Sequence, residues 1–174
     1  MIDEHEVSVG RGVFAAHPLS VEVGVAAIGV ARHPARLMTP ALGSCVAVAL
    51  WDPVLHIGAL GHIMLPTPGD GRSALSAKYA EFAVPEMVRQ MTAAGALKKR
   101  IVAKIAGGAA MFSRDSGVAS IGDRNVEEVK RQLALMRIPL VAEDTRQGHA
   151  RTVELVLDTG VLLVHSHRYG TREI

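Results

Sequence analysis

Residues 42–66 read LGSCVAVALWDPVLHIGALGHIMLP, and this stretch decides the fold. Two apolar runs, CVAVALW at 45–51 and IGALGHIML at 57–65, flank the turn signal Asp52-Pro53. They read as consecutive antiparallel strands. With residues 52–55 as a four-residue loop, Trp51 pairs with His56, Leu50 with Ile57, and Cys45 falls opposite His62. Directly opposed residues share a face, with Cβ atoms ~4.5–5.5 Å apart. A slip of one residue would send His62 to the other face.

That pairing matters because Cys45 is the single cysteine of the chain. No internal disulfide and no cysteine-based zinc site can be built from it, and a reducing compartment is expected. The thiol is either a small apolar filler or a nucleophile. A free thiol titrates near ~8.5, and a neighbouring imidazole can take its proton or stabilise the thiolate. Gly43, just before Ser44-Cys45, leaves room for a substrate and gives a flexible turn whose N–H groups could stabilise an oxyanion. A Cys45–His62 dyad suits acyl transfer: attack on an amide or ester carbonyl, a thioester, then hydrolysis. A third polar group should orient the imidazole, and spacing alone does not name it.

The remainder of the chain reads outward from this hairpin. At 174 residues it fits one domain, against roughly 100–200 residues per domain. Apolar residues make up 49% and charged ones 21%, enough for a substantial core. A net charge of +2 with scattered basic residues, and aromatics at 3%, argue against nucleic acid as a partner. The N-terminus has acids where a signal peptide needs a basic flank, and no apolar run reaches the ~18 residues of a spanning helix. A cytoplasmic protein without membrane insertion is expected.

VEVGVAAIGVA at 21–31 reads as a bent strand, and 31–44, with two prolines, as a connection. Helical spacing follows over 73–96, with Tyr79, Phe82, Val84, Met87, Val88 and Met91 as its apolar stripe. Pro85 is set to kink or restart that helix, and Gly95 to cap its end. A strand over 100–106 ends at Gly107-Gly108. A second helix covers about 123–137, capped by Asp123, with Val126, Val129, Leu133 and Met136 inward. Strands at 139–145, 150–157 and 161–166 complete a single-domain α/β sandwich of mostly antiparallel or mixed sheets and two main helices. Residues 1–20 read as an arm, 21–168 as the domain and 169–174 as a tail. Eight histidines invite a metal reading. His165 and His167 share a strand face, but no supporting carboxylate is spaced for them. Gly69-Asp70-Gly71 lacks the Lys of a phosphate loop. No metal and no cofactor are expected.

The motifs LGSCVAVALWDP, GALGHIMLP, KYAEFAVPEM, AKIAGGAAMF, IGDRNVEEVK and VAEDT, in this order, closely resemble the CheD family of chemoreceptor glutamine deamidases. The resemblance spans roughly residues 22–165. It implies an α/β sandwich, removal of ammonia from selected receptor glutamines, and a Cys-His-Thr triad falling on Cys45, His62 and Thr39. The glycine-rich approach to the family's cysteine is here Thr39-Pro40-Ala41-Leu42. The resemblance also implies receptor cytoplasmic helices as partner and a chemotaxis phosphatase of the CheC type as a second one. Ser44, Gly107 and Gly108 are then expected to border the substrate, their small size letting a receptor helix approach. The bland reading of the two glycines is a tight strand exit, with Met111 and Phe112 in the core. Two alternative functions stay open: a binding module that docks on receptors or on the phosphatase, and a methylesterase acting on receptor glutamate.

Overall fold

The structure is a computed structural model that describes residues 19–69, 76–110 and 119–174. Its strands are β1 (Ser20–Glu22), β2 (Ile28–Arg32), β3 (Arg36–Leu42), β4 (Val46–Asp52), β5 (Ile57–Ile63), β6 (Val102–Gly107), β7 (Leu140–Thr145), β8 (Arg151–Val156), β9 (Leu162–Ser166) and β10 (Gly170–Glu173). Two α-helices join them, α1 (Ala80–Ala93) and α2 (Ile121–Leu135). One sheet has the order β1-β3-β8-β9-β10 and the other β2-β5-β4-β6-β7. Both are mixed, since β1 with β3 and β6 with β7 run parallel while the other pairs are antiparallel. Among the described residues no helix is long and apolar enough to cross a membrane.

The β4–β5 hairpin is present, with its register displaced by one residue on each strand. Asp52 pairs with Ile57, the loop is residues 53–56, and His62 lies opposite Ala47 rather than Cys45. The Asp52 side chain explains the shift. Its Oδ1 accepts the N–H of Val54 at 2.9 Å and of Leu55 at 3.3 Å, so the turn starts with Asp52 still in the ladder. Both strands moved together, and the faces are therefore unchanged. Cys45, Ala47, Ala49 and Leu60 share one cluster between the sheets.

Strand β4 alternates by size. Ala47 and Ala49 face the other sheet, where Leu37, Leu42, Val153, Leu155 and Leu162 fill the space. Val46, Val48 and Leu50 face the helices, against Val84, Met87, Val88, Val126, Val129 and Leu133. The strand is buried on both faces, which is why its sequence reads as a continuous apolar run.

Several expectations are corrected. The bent strand at 21–31 is two strands, β1 and β2, that belong to different sheets, with Ala26 at φ 57° between them. The connection at 31–44 carries β3, an interior strand. Pro34 precedes it and Pro40 lies at a bulge: Thr39 pairs with Val153 and Leu42 with Arg151, leaving one extra residue on β3, with Ala41 at φ 59°. A proline's missing N–H is tolerated at such a break in the ladder. Helix α1 continues through Pro85, and Gly95, at φ 103°, follows its end as expected. Tyr79 and Phe82 are only half-buried. The cap of α2 is Ser120 rather than Asp123. Asp123 completes a capping box, its N–H donating to Ser120 Oγ at 3.1 Å while its carboxylate accepts the Ser120 N–H at 3.2 Å. Residues 169–174 include β10, which pairs with β9. Most of the expected arm (residues 1–18), Asp70 and Gly71, and Met111 and Phe112 lie outside the described residues.

Asp52 also accepts the Leu97 N–H at 3.1 Å and Arg100 Nη2 at 2.7 Å, and it is fully buried. Burial alone would raise its pKa. The hydrogen bonds from Arg100 and from the backbone outweigh that and bring it down to about 2. A depressed carboxylate stabilises the fold above its unfolded pKa, and that stability is lost as pH falls through the folded value. Asp52→Asn is therefore expected to lower stability in urea unfolding by about 2 kcal/mol at neutral pH. The gap between variant and wild type should close between pH ~4 and ~2; a gap that is independent of pH would contradict this role.

Candidate active site

His62 sits on β5 and Thr39 on β3, so the two sheets meet at this pair. Both side chains are buried, with Thr39 0% and His62 1% exposed. Thr39 Oγ1 donates to the Val23 carbonyl at 2.6 Å, and it lies 2.7 Å from His62 Nδ1. A hydroxyl has one proton, and a carbonyl oxygen can only accept. The proton therefore belongs to the Val23 bond, and the ring must donate in the other. His62 is thereby fixed as the Nδ1–H tautomer, with the Nε2 lone pair left as a base. That Nε2 is buried and hydrogen-bonded to no group among the described residues, Cys45 included. The backbone of His62 is held as well, its N–H donating to the Ala27 carbonyl at 3.1 Å and its carbonyl accepting the Ala26 N–H at 3.0 Å.

The bend that carries Cys45 is fastened by three consecutive carbonyls. Gly43 O accepts the Ala109 N–H at 2.8 Å and Cys45 O the Gly108 N–H at 2.7 Å. Between them, Ser44 O accepts Asn125 Nδ2 at 2.9 Å. The turn expected to be flexible is therefore tied down. Gly107 and Gly108 are buried, and they are glycines for a steric reason. Both have positive φ, and a Cβ on Gly107 would lie 2.3 Å from Cys45 O. Behind them, a Cβ on Gly122 of α2 would lie 2.6 Å from Gly108 O. Ser44 is half-buried beside the thiol. The strand leading into the bend is braced at Leu42, which pairs with Arg151. Arg151 is buried and donates from Nε to Asp144 of the VAEDT motif at 2.9 Å.

Three contributors here were not assigned from the sequence: Val23, Asn125 and the Arg151–Asp144 pair. Asn125 stood inside a quoted motif without a role, and nothing local marks a main-chain carbonyl such as that of Val23. His165 shares a hydrogen bond with Thr171 at 2.8 Å, and His167 is exposed. Among the described residues no group of three His, Cys, Asp or Glu side chains could hold a metal ion.

The family model described as CheD chemotactic sensory transduction matches residues 64–166. A Thermotoga maritima protein named chemoreceptor glutamine deamidase CheD is 46% identical over 142 residues, covering 82% of this chain and 88% of that protein. The chain belongs to the CheD family. Proteins named probable chemoreceptor glutamine deamidase CheD from Syntrophomonas wolfei and Moorella thermoacetica are 41% and 42% identical, and cover 88% and 86% of the chain. The family model's match begins just past His62. The alignment to the Thermotoga protein, at 82% of the chain, is long enough that it must include residues 39–62.

In this CheD family member burial favours the uncharged forms of both Cys45 and His62. Burial pushes the Cys45 thiol above its ordinary value, opposed by a hydrogen bond from its own backbone N–H. Burial pulls His62 below its ordinary value, which keeps the imidazole neutral and basic at pH 7. Both shifts favour a neutral thiol and a neutral imidazole over a thiolate–imidazolium pair. Alkylation of Cys45 by iodoacetamide should accordingly climb with pH into the alkaline range. A reactive plateau reaching into acid would show a preformed ion pair and contradict this.

Proposed function

We propose that this chain is a protein-glutamine deamidase that converts glutamine side chains on the cytoplasmic helices of bacterial chemoreceptors to glutamate. The observation that carries the mechanism is the Val23–Thr39–His62 relay, which leaves His62 Nε2 as a buried base with no hydrogen-bond partner among the described residues, on the face shared with Cys45. The family supplies the substrate class, since relatives named for this activity cover most of the chain.

Cys45 Sγ attacks the carboxamide carbon while its proton passes to His62 Nε2. The tetrahedral intermediate collapses as the imidazolium gives that proton to the departing nitrogen, releasing ammonia and leaving a thioester. Water, deprotonated by the same Nε2, then attacks the thioester and returns glutamate and the free thiol. Thr39 Oγ1 holds the ring in its working tautomer throughout and stabilises the imidazolium. Catalytic hydrogen bonds are often open in substrate-free enzymes and tighten on binding, so a Cys45–His62 contact that forms with substrate fits this sequence of steps. Ser44 borders the reacting carbonyl. Gly107 and Gly108 bear on the substrate through the Cys45 backbone they hold. The pinned 43–45 bend is suited to presenting N–H groups to an oxyanion without reorganisation.

Under this reading the protein works in the cytoplasm. A CheC-type phosphatase is a second partner, docking where the receptor does.

Incubation with a purified receptor cytoplasmic fragment tests the reaction. Each converted glutamine should gain ~1 Da with one ammonia released, whereas ester hydrolysis would remove a methyl group, both being outcomes of one acyl-enzyme route. Cys45→Ala should abolish the mass gain; undiminished ammonia release would sink the assignment. Thr39→Val, which keeps the shape and removes the hydroxyl, should lower kcat about 10- to 100-fold, part of what a positioned base contributes. Thr39→Ser should retain most of the activity, and equal loss in both variants would argue against the relay.

A further inference from the structure

The last rung of the β4–β5 ladder is Val46 with Ile63. Beyond it the two strands part: Ser44 and Cys45 leave the ladder on one side and Met64, two residues past His62, on the other, while His62 itself stays in the ladder opposite Ala47. The Met64 N–H turns to the Lys78 carbonyl at 3.0 Å and no longer faces β4. Among the described residues one side chain spans the gap. Asn125 Nδ2 donates to Ser44 O at 2.9 Å and to Met64 O at 2.8 Å.

We infer that Asn125 is a positioning residue of this reaction, its single buried amide setting the distance between the strand end that carries Cys45 and the strand end that carries His62. The inference rests on the reading of those two residues as nucleophile and base.

The chemistry of the amide leaves little freedom. Both partners are main-chain carbonyls, which only accept, so both Nδ2 protons are spent and the amide has one possible orientation. Oδ1 is consequently turned the other way, where it is buried with no hydrogen-bond partner among the described residues. A position kept only for packing would not hold such an atom, because an unpaired buried acceptor destabilises. Asn125 is fully buried on α2, where the neighbouring inward positions are Val126, Val129 and Leu133. Asparagine is also a poor residue for a helix interior. Against these penalties stands one gain, the link between two segments that the sheet itself leaves unlinked. Strand β6 and the turn after it supply donors to Gly43 O and Cys45 O but none to Ser44 O. The helix fills that vacancy, and with the same group it reaches the His62 strand.

The test separates positioning from stability. Asn125→Ala is compared with wild type for receptor-glutamine deamidation. Alkylation of Cys45 by iodoacetamide at neutral pH is measured in the wild-type background and in a His62→Ala background. Asn125→Ala is expected to lower kcat at least ~10-fold, since small misplacements of reacting groups are expensive in rate. KM should stay within about twofold, because ground-state binding is untouched. It should slow alkylation when His62 is present and have no further effect when His62 is gone, the signature of a residue acting through that pair. An unchanged kcat, or the same slowing of alkylation in both backgrounds, would overturn the inference. If Asn125→Ala does not fold, Asn125→Ser, which offers one donor in a smaller side chain, enters the same cycle with the same criteria. Absence of ammonia release by the wild type would count against the deamidase reading alone, and the alkylation cycle would still decide the role of Asn125.

Discussion

One proton organises this site. The Thr39 hydroxyl has a single hydrogen, and it is committed to the Val23 carbonyl at 2.6 Å. The 2.7 Å contact with His62 can then be made only by a ring N–H, so the imidazole presents its lone pair from the opposite nitrogen. The two sheets converge on this arrangement. Thr39 belongs to one and His62 to the other, and Val23 lies on the segment that passes between β1 and β2. The bulge at Pro40 and Ala41 follows directly after Thr39, where it absorbs the extra residue before the chain turns into the Cys45 bend.

The second element of the design is restraint of the backbone around Cys45. Three adjacent carbonyls at 43–45 receive donors from the turn after β6 and from α2. The packing behind them admits no side chain at Gly107 or Gly122. A reaction that builds negative charge on a substrate oxygen gains from groups that need not reorganise. Burial favours the uncharged thiol of Cys45 and the uncharged imidazole of His62, which suits a thiol that becomes a thiolate only when a carboxamide arrives. In the proposed mechanism these features make His62 a preset base and leave Cys45 to be activated only in the act of attack.

Much of this was legible in the sequence, for reasons that can be traced. The period-two alternation through VAVAL and IGALGHI fixed which residues share a face, and that survived a register error because both strands shifted together. The error itself came from reading Asp52 as part of the turn, when its buried carboxylate ties the turn while its backbone stays in the ladder. The strand at β3 was hidden by its prolines, since a bulge that tolerates Pro40 depends on how β8 lies alongside, which no local pattern records. Thr39 could be placed by family resemblance, but its partner is a carbonyl, and carbonyls have no sequence signature. Asn125 reaches across 81 residues of chain to Ser44, whereas Arg151 and Asp144 stand only 7 residues apart. The first of these is invisible to any local reading, and the second needs the fold to show that the pair is buried.

The proposed mechanism depends most directly on the protonation of the His62 ring. Nitrogen NMR of protein carrying ring-labelled histidine reads it without substrate or variant. At neutral pH His62 should show a protonated Nδ1 and an unprotonated Nε2 as a fixed tautomer. A ring protonated at Nε2, exchanging between tautomers or charged at that pH would contradict the relay on which the mechanism stands.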